Sequence, residues 1–219
     1  MEISTSVLNV KEENAIETFY RIETAHTDYF HIDVMDGKFV KMENLEKMQE
    51  YSDNLKNITN IPLDVHLMAQ DVKEQVDKFI SCKPRVISFH IEAMKTKEET
   101  MKIINYIKEN GCKVGIAISP ETKVETLYEY LQFVHNILVM TVEPGKGGQK
   151  LIPETIKKIE ELKRYIDENK LETEIEVDGG INLDNIKNVK KAGAEIAVVG
   201  TFLIDSKDYK YTMNKLKQA

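Results

Sequence analysis

Three short apolar runs of the sequence end in histidine or aspartate, each where a strand-like run meets a turn. They are His31-Ile32-Asp33, Asp64-Val65-His66 and Val177-Asp178-Gly179-Gly180. If the fold brings these ends together, two imidazoles and two carboxylates meet in one cluster. Such a cluster can bind a divalent metal, and its carboxylates can also transfer protons. The pattern therefore indicates an enzyme.

The spacing within the runs predicts which side chains share a face. Residues two apart on a strand point to the same side, so His31 and Asp33 face together, with Met35 beyond them. A single histidine of this kind would more simply be a buried, hydrogen-bonded residue, whereas four such groups at strand ends favour a functional site. Nitrogen and oxygen donors suit Zn²⁺, Fe²⁺, Mn²⁺ or Co²⁺ better than Ca²⁺, which prefers oxygen alone.

Glycines occur in the loops that follow the last three strand-like runs. They stand in the segment 143–149, at Gly179-Gly180 and at Gly200-Thr201. Glycine lets backbone N–H groups approach an anion closely, and Thr201 could cap a short helix whose N-terminus attracts phosphate. Each glycine pair alone would be an ordinary turn, but barrels often bind phosphate after strands seven and eight. Together the loops predict a phosphate site.

The elements that must position these residues alternate along the chain. The strand candidates are 3–8, 29–34, 63–67, 86–90, 113–118, 137–141, 174–178 and 196–199. The helix candidates are 12–24, 41–55, 71–80, 96–110, 123–131, 153–169, 183–192 and about 205–217. Eight strand–helix units in 219 residues predict a single (β/α)₈ TIM barrel spanning 1–219. A doubly wound sheet is the structural alternative.

Composition excludes several classes of function. The net charge of −7 argues against general nucleic-acid binding. Cys82 and Cys112 lack metal-type spacing, which predicts reduced thiols. The first residues show no signal-peptide pattern, and no apolar run approaches the roughly 18 residues that a membrane span requires. We therefore expect a soluble, cytoplasmic protein with no membrane partner.

At this point the motifs resemble those of the ribulose-phosphate 3-epimerases. The similar segments are HIDVMDGKFV (31–40), LDVHLM (63–68), FHIEA (89–93), VGIAISPET (114–122), VMTVEPGKGGQK (139–150), IEVDGGIN (175–182) and AGAEIAVVGT (192–201). The resemblance runs through nearly the whole chain. It implies a ribulose-phosphate-binding (β/α)₈ barrel, a sugar-phosphate substrate, one divalent metal ion per subunit, and a homo-oligomer, either a dimer or a hexamer.

The resemblance also implies roles for particular residues. The metal ligands would be His31, Asp33, His66 and Asp178, of which Asp33 and Asp178 would also be the acid/base pair. The implied substrate contacts are Ser6, His66, Gly145, Lys146, Gly147, Gly148, Asp178, Gly179, Gly180, Gly200 and Thr201. Met35, Met68 and Met140 would form the active-site wall, although ordinary core filling would also account for them.

The implied reaction is epimerisation at C3 of D-ribulose 5-phosphate to D-xylulose 5-phosphate, in the pentose phosphate pathway. Inverting a carbon next to a ketone requires removing a proton from one face and returning one to the other. Two carboxylates that approach from different strands can share this work through a metal-stabilised enediolate. Asp33 on the second strand and Asp178 on the seventh are the residues expected to do so.

Four departures from the usual motifs leave sugar specificity open. Thr5-Ser6 stands where a proline is usual nearby, Lys38-Phe39-Val40-Lys41-Met42 replaces His-Phe-Val-Pro-Asn, Ser119 replaces asparagine, and Lys146 replaces an aromatic residue. Epimerisation of a hexulose 6-phosphate such as allulose 6-phosphate is the nearest alternative. A non-catalytic phosphate-binding paralogue is a second, against which the presence of both aspartates speaks. A decarboxylase of the orotidine type is a third, but its Asp-x-Lys-x-x-Asp pattern is absent.

His90 and Glu92 close the fourth strand. They could support the metal ligands from outside, as outer hydrogen-bond partners of ligating histidines commonly do, or they could be a purely structural pair. The sequence favours neither interpretation.

Overall fold

Eight short parallel strands pair in chain order and close into a barrel in the computed structural model, which describes residues 1–219. The strands are β1 (Glu2–Ser6), β2 (Tyr29–Met35), β3 (Leu63–Met68), β4 (Val86–His90), β5 (Lys113–Ile118), β6 (Asn136–Met140), β7 (Glu174–Asp178) and β8 (Ile196–Val199). β1 pairs with both β2 and β8, which closes the ring. The predicted (β/α)₈ barrel is thus confirmed, and the doubly wound alternative is wrong.

Successive side chains of each strand point alternately into the barrel and toward the helices outside. Every residue of β2 is buried. Phe30, Ile32 and Val34 belong to the main core of 53 buried residues, whereas His31 and Asp33 do not. In a barrel, alternate residues face the interior or the helices outside. The outward residues therefore supply the apolar core, and the inward ones are free to carry chemistry.

Helices cover the outside of the barrel. They are α1 (Ala15–Thr24), α2 (Leu45–Ile58), α3 (Val72–Phe79), α4 (Lys97–Glu109), α5 (Thr155–Glu168), α6 (Ile186–Ala192), α7 (Thr201–Ile204) and α8 (Tyr209–Gln218). Their apolar residues recur at three- and four-residue steps, as in α5, where Ile159, Leu162 and Ile166 are buried. No helix is both long and apolar enough to cross a membrane.

The predicted helix 123–131 is wrong. Two 3₁₀ turns, Val124–Leu127 and Leu131–Phe133, connect β5 to β6 instead. Val124, Leu127 and Leu131 are buried at helical spacing, which explains the prediction. The two tight turns bury the same three residues that the predicted helix would bury, so the apolar spacing did not distinguish between them.

Two other predicted boundaries differ at the mouth of the barrel. β1 ends at Ser6, two residues earlier than predicted, and α2 begins at Leu45, not at residue 41. Residues 36–44 form a loop in which Asp36 and Glu43 make an isolated antiparallel bridge. Both differences lengthen the loops that follow a strand, and these loops surround the site described next.

Candidate active site

The four predicted ligand residues converge at the C-terminal end of the barrel. β2 supplies His31 and Asp33, β3 supplies His66, and β7 ends at Asp178. One ligand atom from each lies within 4.8 Å of the others. Strand register explains the convergence, because Asp33 pairs directly with His66 across β2 and β3.

Asp33 lies at the centre of the cluster. Its Oδ1 is 3.1 Å from His66 Nδ1 and 3.3 Å from His31 Nε2, and its Oδ2 accepts a 2.7 Å hydrogen bond from Ser6 Oγ. Asp178 Oδ2 stands further off, 3.9 Å from His31 Nε2 and 3.8 Å from His66 Nδ1. The cluster therefore contains one tightly held carboxylate and one looser carboxylate.

The second ring nitrogen of His31 is held from deeper in the barrel. His31 Nδ1 lies 2.6 Å from Asp64 Oδ2, and Ser4 Oγ donates to the same oxygen at 2.9 Å. This leaves His31 Nε2 facing Asp33 and Asp178. Ligating histidines commonly have the other ring nitrogen fixed by a carboxylate in this manner.

His66 is held in the same way by a different group. Its Nδ1 faces the cluster, and its Nε2 lies 2.9 Å from His90 Nε2. His90 Nδ1 is in turn 2.9 Å from Glu92 Oε2. Burial lowers the pKa of both His66 and His90, which favours neutral imidazoles.

The two aspartates of the cluster have different proton affinities. Burial alone would raise the pKa of Asp33, but the neighbouring imidazoles of His31 and His66 outweigh it and hold that pKa well below its usual value. Burial, with Asp33 nearby, raises the pKa of Asp178 to about 7. Near neutral pH the metal-free site therefore holds an ionised Asp33 beside a carboxyl group that takes up and releases a proton.

Two deeper groups complete the charge balance. Burial opposes a charge on His31, but the carboxylates of Asp64 and Asp33 on either side outweigh it and raise the pKa of the imidazole. Burial and the neighbouring Asp64 raise the pKa of Glu176 well above its ordinary value. The metal-free site thus holds protons between its carboxylates, where a divalent cation would supply equivalent positive charge.

The donor set fits a transition metal. His31 Nε2 is buried and makes no hydrogen bond, although it points into the cluster. An orphaned buried nitrogen is costly unless something binds it. Two imidazole nitrogens and two carboxylates within 4.8 Å of one another suit Zn²⁺, Fe²⁺, Mn²⁺ or Co²⁺.

A cavity of about 180 Å³ opens beside the cluster. Fourteen of the predicted site residues line it, namely Ser6, Asp33, Met35, Met68, Met140, Gly145, Lys146, Gly147, Gly148, Asp178, Gly179, Gly180, Gly200 and Thr201. His31 and His66 do not line it and are fully buried. The predicted substrate contact at His66 thus lies behind the cavity surface.

The glycine loops meet at one end of the cavity. Gly180 has φ +68°, and a Cβ there would lie 2.4 Å from the backbone nitrogen of Leu151, so only glycine fits this junction. Thr201 was expected to cap a short helix, but it is the first residue of α7, and the cap position is Gly200. Thr201 Oγ1 instead accepts a 2.7 Å hydrogen bond from Asn9 Nδ2.

Comparisons with known proteins agree with this geometry. The model of the ribulose-phosphate 3 epimerase family matches residues 2–204. The chain is 38% identical over 219 residues to the ribulose-phosphate 3-epimerase of Methanocaldococcus jannaschii, covering 100% of this chain and 91% of that protein. It is 35% identical over 219 residues to the ribulose-phosphate 3-epimerase of Escherichia coli strain K12, covering 98% and 94%. The chain belongs to the ribulose-phosphate 3-epimerase family.

Membership of the ribulose-phosphate 3-epimerase family makes the chain an enzyme and confirms the resemblance of its motifs. Among solved structures, a 3-hexulose-6-phosphate synthase superimposes with a TM-score of 0.72 at 15% identity, covering 100% of this chain and 99% of that chain. At that identity the similarity concerns the fold alone. It agrees with the closed barrel and carries no information about the reaction.

Several residues at the site of this epimerase were missed by sequence reasoning. Asp64 and Glu176 precede His66 and Asp178 by two residues, so strand alternation could have placed them on the inward face. Asn44 donates to the carbonyl of Asp33 and accepts from the N–H of Met35, which fixes the end of β2. Nothing in the sequence signals that contact. The other missed cavity residues are Leu8, Asn9, Val142, Glu143, Gln149, Ile181, Asn182, Val198 and Phe202.

Three of the four departures from the usual epimerase motifs lie in loops, and the fourth, Thr5-Ser6, lies at the end of β1, where Ser6 lines the cavity. Lys38 contributes its backbone N–H to Asp36 Oδ1, and its side chain is exposed, as is that of Lys41. Ser119 acts through its backbone, with its N–H donating to Glu92. Lys146 is exposed yet lines the cavity, so its charge is available at the loop end. Among Lys38, Lys41, Ser119 and Lys146, only Lys146 lines the cavity.

Proposed function

We propose that this protein interconverts D-ribulose 5-phosphate and D-xylulose 5-phosphate by moving the proton at C3. The observation that carries the proposal is that Asp33 and Asp178, from β2 and β7, line one cavity whose other end consists of glycine loops. A sugar phosphate that extends from these loops to the two carboxylates would have its reacting carbon between them. The family of the chain supports the same reaction.

The loop end of the cavity would hold the phosphate. Gly147, Gly148, Gly180 and Gly200 line this end of the cavity, and a residue without a side chain lets its backbone N–H approach an anion closely. Lys146 would add a positive charge at the rim. Binding energy from the phosphate would then position the reacting carbon, which lowers the entropic cost of the reaction.

The metal would be held by His31 Nε2, His66 Nδ1 and the carboxylates of Asp33 and Asp178. When bound, a Zn²⁺, Fe²⁺, Mn²⁺ or Co²⁺ ion would act as a Lewis acid toward the ketone and hydroxyl oxygens of the substrate. We propose one such ion per subunit.

Proton transfer would be divided between the two carboxylates. One removes the proton from C3, which leaves an enediolate, and the other returns a proton to the opposite face. Ser6 Oγ donates to Asp33 Oδ2 and would keep this carboxylate oriented during transfer. Met35, Met68 and Met140 line the cavity and would exclude water without adding a competing base.

Epimerisation of a hexulose 6-phosphate is the second candidate. Three lysines favour this candidate, because they replace usual epimerase residues in loops near the substrate. They are the exposed Lys38 and Lys41 in the loop 36–44 and the cavity-lining Lys146. A non-catalytic paralogue would not need both carboxylates in the cavity, so we do not propose one.

The test is a coupled assay on metal-stripped protein and on the same protein reloaded with each of the four metals. D-ribulose 5-phosphate and allulose 6-phosphate are compared as substrates. We expect activity only after reloading, with a higher kcat/KM for the pentulose phosphate. A higher value for the hexulose phosphate would favour the second candidate, and inactivity with every metal would contradict both.

We also propose that the chain is one catalytic domain, 1–219, that works in the cytoplasm as a homo-oligomer, either a dimer or a hexamer. The exposed Tyr20 and Ile16 on α1 and Met42 near the mouth are apolar side chains of the kind that subunit contacts cover. Light scattering on the purified protein measures the assembly, and a monomer at micromolar concentration would contradict this proposal.

A further inference from the structure

A pair of facing imidazoles lies behind the cluster. His66 and His90 are both fully buried, and their Nε2 atoms are 2.9 Å apart. One hydrogen bond can join two such nitrogens only if one carries a proton and the other presents a lone pair. The direction of this bond decides which nitrogen of His66 is free to bind a metal.

Glu92 determines that direction. Its Oε2 lies 2.9 Å from His90 Nδ1, while its Oε1 accepts the N–H of Ser119 at 2.8 Å and the hydroxyl of Thr122. A carboxylate in this place accepts from every side, so His90 must carry its proton on Nδ1. His90 Nε2 is then an acceptor, His66 carries its proton on Nε2, and His66 Nδ1 directs a lone pair at the cluster.

The opposite arrangement is disfavoured by charge. If His66 carried its proton on Nδ1, His90 would donate from Nε2, and the lone pair of His90 Nδ1 would face the Glu92 carboxylate. Two electron-rich atoms 2.9 Å apart without a proton between them repel each other. The negative charge of Glu92 therefore selects the tautomer of a residue that it does not touch. In the metal-free site this tautomer sets the lone pair of His66 Nδ1 against Asp33 Oδ1 at 3.1 Å, a repulsion that a cation bound between the two atoms would relieve.

The position of Glu92 is fixed by the neighbouring loop. Lys158 on α5 donates to the carbonyls of Ser119 at 2.7 Å, Pro120 at 2.7 Å and Thr122 at 2.5 Å. On the other side, the ring of Phe39 packs against His90 with 4.7 Å between ring centres. The carboxylate and the imidazole are thus held by neighbouring loops, one of them bonded to α5 through Lys158, and not by residues that line the cavity.

We propose that Glu92 and His90 are positioning residues that hold His66 in the tautomer and orientation required to bind the metal. The inference rests on the proposed metal centre. The inference goes beyond that metal centre because it gives a role to two residues that neither bind the metal nor line the substrate cavity.

The principal test is the Co²⁺ affinity of metal-stripped wild type and Glu92→Gln, measured by cobalt absorbance in competition with a chelator. If the NH₂ of the introduced amide faces His90, His90 must present a lone pair on Nδ1, and the tautomers of His90 and His66 are reversed. If the NH₂ faces the other way, it meets the N–H of Ser119, and two donors then face each other. Either orientation penalises metal binding, and we expect Co²⁺ to bind about 10- to 100-fold more weakly.

The matched control is Glu174→Gln. Glu174 Oε2 lies 3.2 Å from His135 Nε2. This variant therefore also removes a carboxylate from beside a histidine, but at the opposite end of the barrel. It should bind Co²⁺ as wild type does. An equal loss in both variants would indicate a general effect of charge and would overturn the proposal.

A second pair of variants does not depend on the folding of Glu92→Gln. His90→Gln keeps a side-chain oxygen that can accept from His66 Nε2, whereas His90→Leu keeps only the bulk. We expect the Gln variant to bind Co²⁺ more tightly than the Leu variant. Equal affinities would overturn the proposal. Wild type that fails to bind Co²⁺ would overturn the metal centre and this inference with it, whereas unchanged affinity in folded Glu92→Gln would overturn this inference alone.

Discussion

Asp33 and Asp178 line the same cavity, but the side chains around them differ and shift their pKa values in opposite directions. Asp33 accepts a hydrogen bond from Ser6 and lies 3.1 Å from His66 Nδ1 and 3.3 Å from His31 Nε2, whereas Asp178 has no histidine nitrogen within 3.5 Å. The pKa of Asp33 is therefore held low, and burial raises that of Asp178 to about 7. In the proposed reaction, these two aspartates would thus serve opposite halves of the proton exchange.

Replacing Asp178 by asparagine should abolish epimerisation while the fold survives. The substitution keeps the shape of the side chain and removes its capacity to transfer a proton, which is worth about 100- to 10,000-fold in rate. The coupled assay measures turnover, and circular dichroism checks the fold. Asp184→Asn, an exposed change in the loop after β7, should remain active. Near-normal turnover of the Asp178 variant would contradict the two-carboxylate assignment.

The raised pKa of Asp178 also predicts how the stability of the metal-free protein depends on pH. Its proton is bound more tightly in the folded than in the unfolded state, so its stabilising effect is complete below the ordinary aspartate pKa and is lost as the pH rises to about 7. Asp178→Asn lacks this contribution. Between pH 5 and pH 8 the free energy of unfolding of wild type should fall relative to the variant by about 3 kcal/mol. Urea unfolding in chelator measures it, and a constant difference would contradict it.

At the scale of elements, the strands and the loops that follow them form opposite ends of the cavity. The strands present His31, Asp33, His66 and Asp178 at fixed register, but the opposite end of the cavity is made of turns. Close packing of these turns requires glycine where a side chain would meet backbone. The junction of Gly180 with Leu151 is the tightest such contact to backbone.

Gly180→Ala should destabilise the protein more than Gly111→Ala. Both glycines have positive φ, +68° and +82°, so alanine at either costs about 1–2 kcal/mol for the left-handed backbone. A Cβ at Gly111 meets nothing within 4 Å, whereas one at Gly180 must displace the loop at Leu151. The difference in unfolding free energy, measured in urea, isolates the packing contribution. Equal losses would contradict the close junction.

At the scale of the whole molecule, closure of the barrel couples metal binding at the site to the stability of the whole fold. β1 pairs with β8, and the ligand residues come from β2, β3 and β7, on both sides of this closure. A metal bound there would connect segments that are far apart in the chain. Its binding energy would therefore add to the stability of the folded state as a whole.

Co²⁺ should stabilise the metal-stripped protein as a single unit. At a free concentration 100 times its dissociation constant, the free energy of unfolding should rise by about 2.7 kcal/mol. Circular dichroism and tyrosine fluorescence should report the same shifted transition, as expected for one domain. His135→Gln, at the opposite end of the barrel, should keep the shift. Separate transitions for the two probes would contradict the single-domain prediction.

Much of this protein could be determined from its sequence. Alternation along 31–35 correctly placed His31 and Asp33 on the inward face, because the side chains of a strand alternate whatever its neighbours are. The regular succession of apolar runs and amphipathic stretches predicted the barrel. Glycine-containing loops after β6, β7 and β8 were predicted to surround one site, and they line one cavity.

Only the tertiary structure decided which groups hold the imidazoles. Asp64 reaches His31 and His90 reaches His66 because of the register between neighbouring strands, and the alternation within a single strand carries no information about register. The helix predicted at 123–131 is wrong for a different reason, because two 3₁₀ turns bury the same Val124, Leu127 and Leu131 that a helix would bury. Local patterns determine which way a side chain faces, whereas barrel closure determines what it meets there.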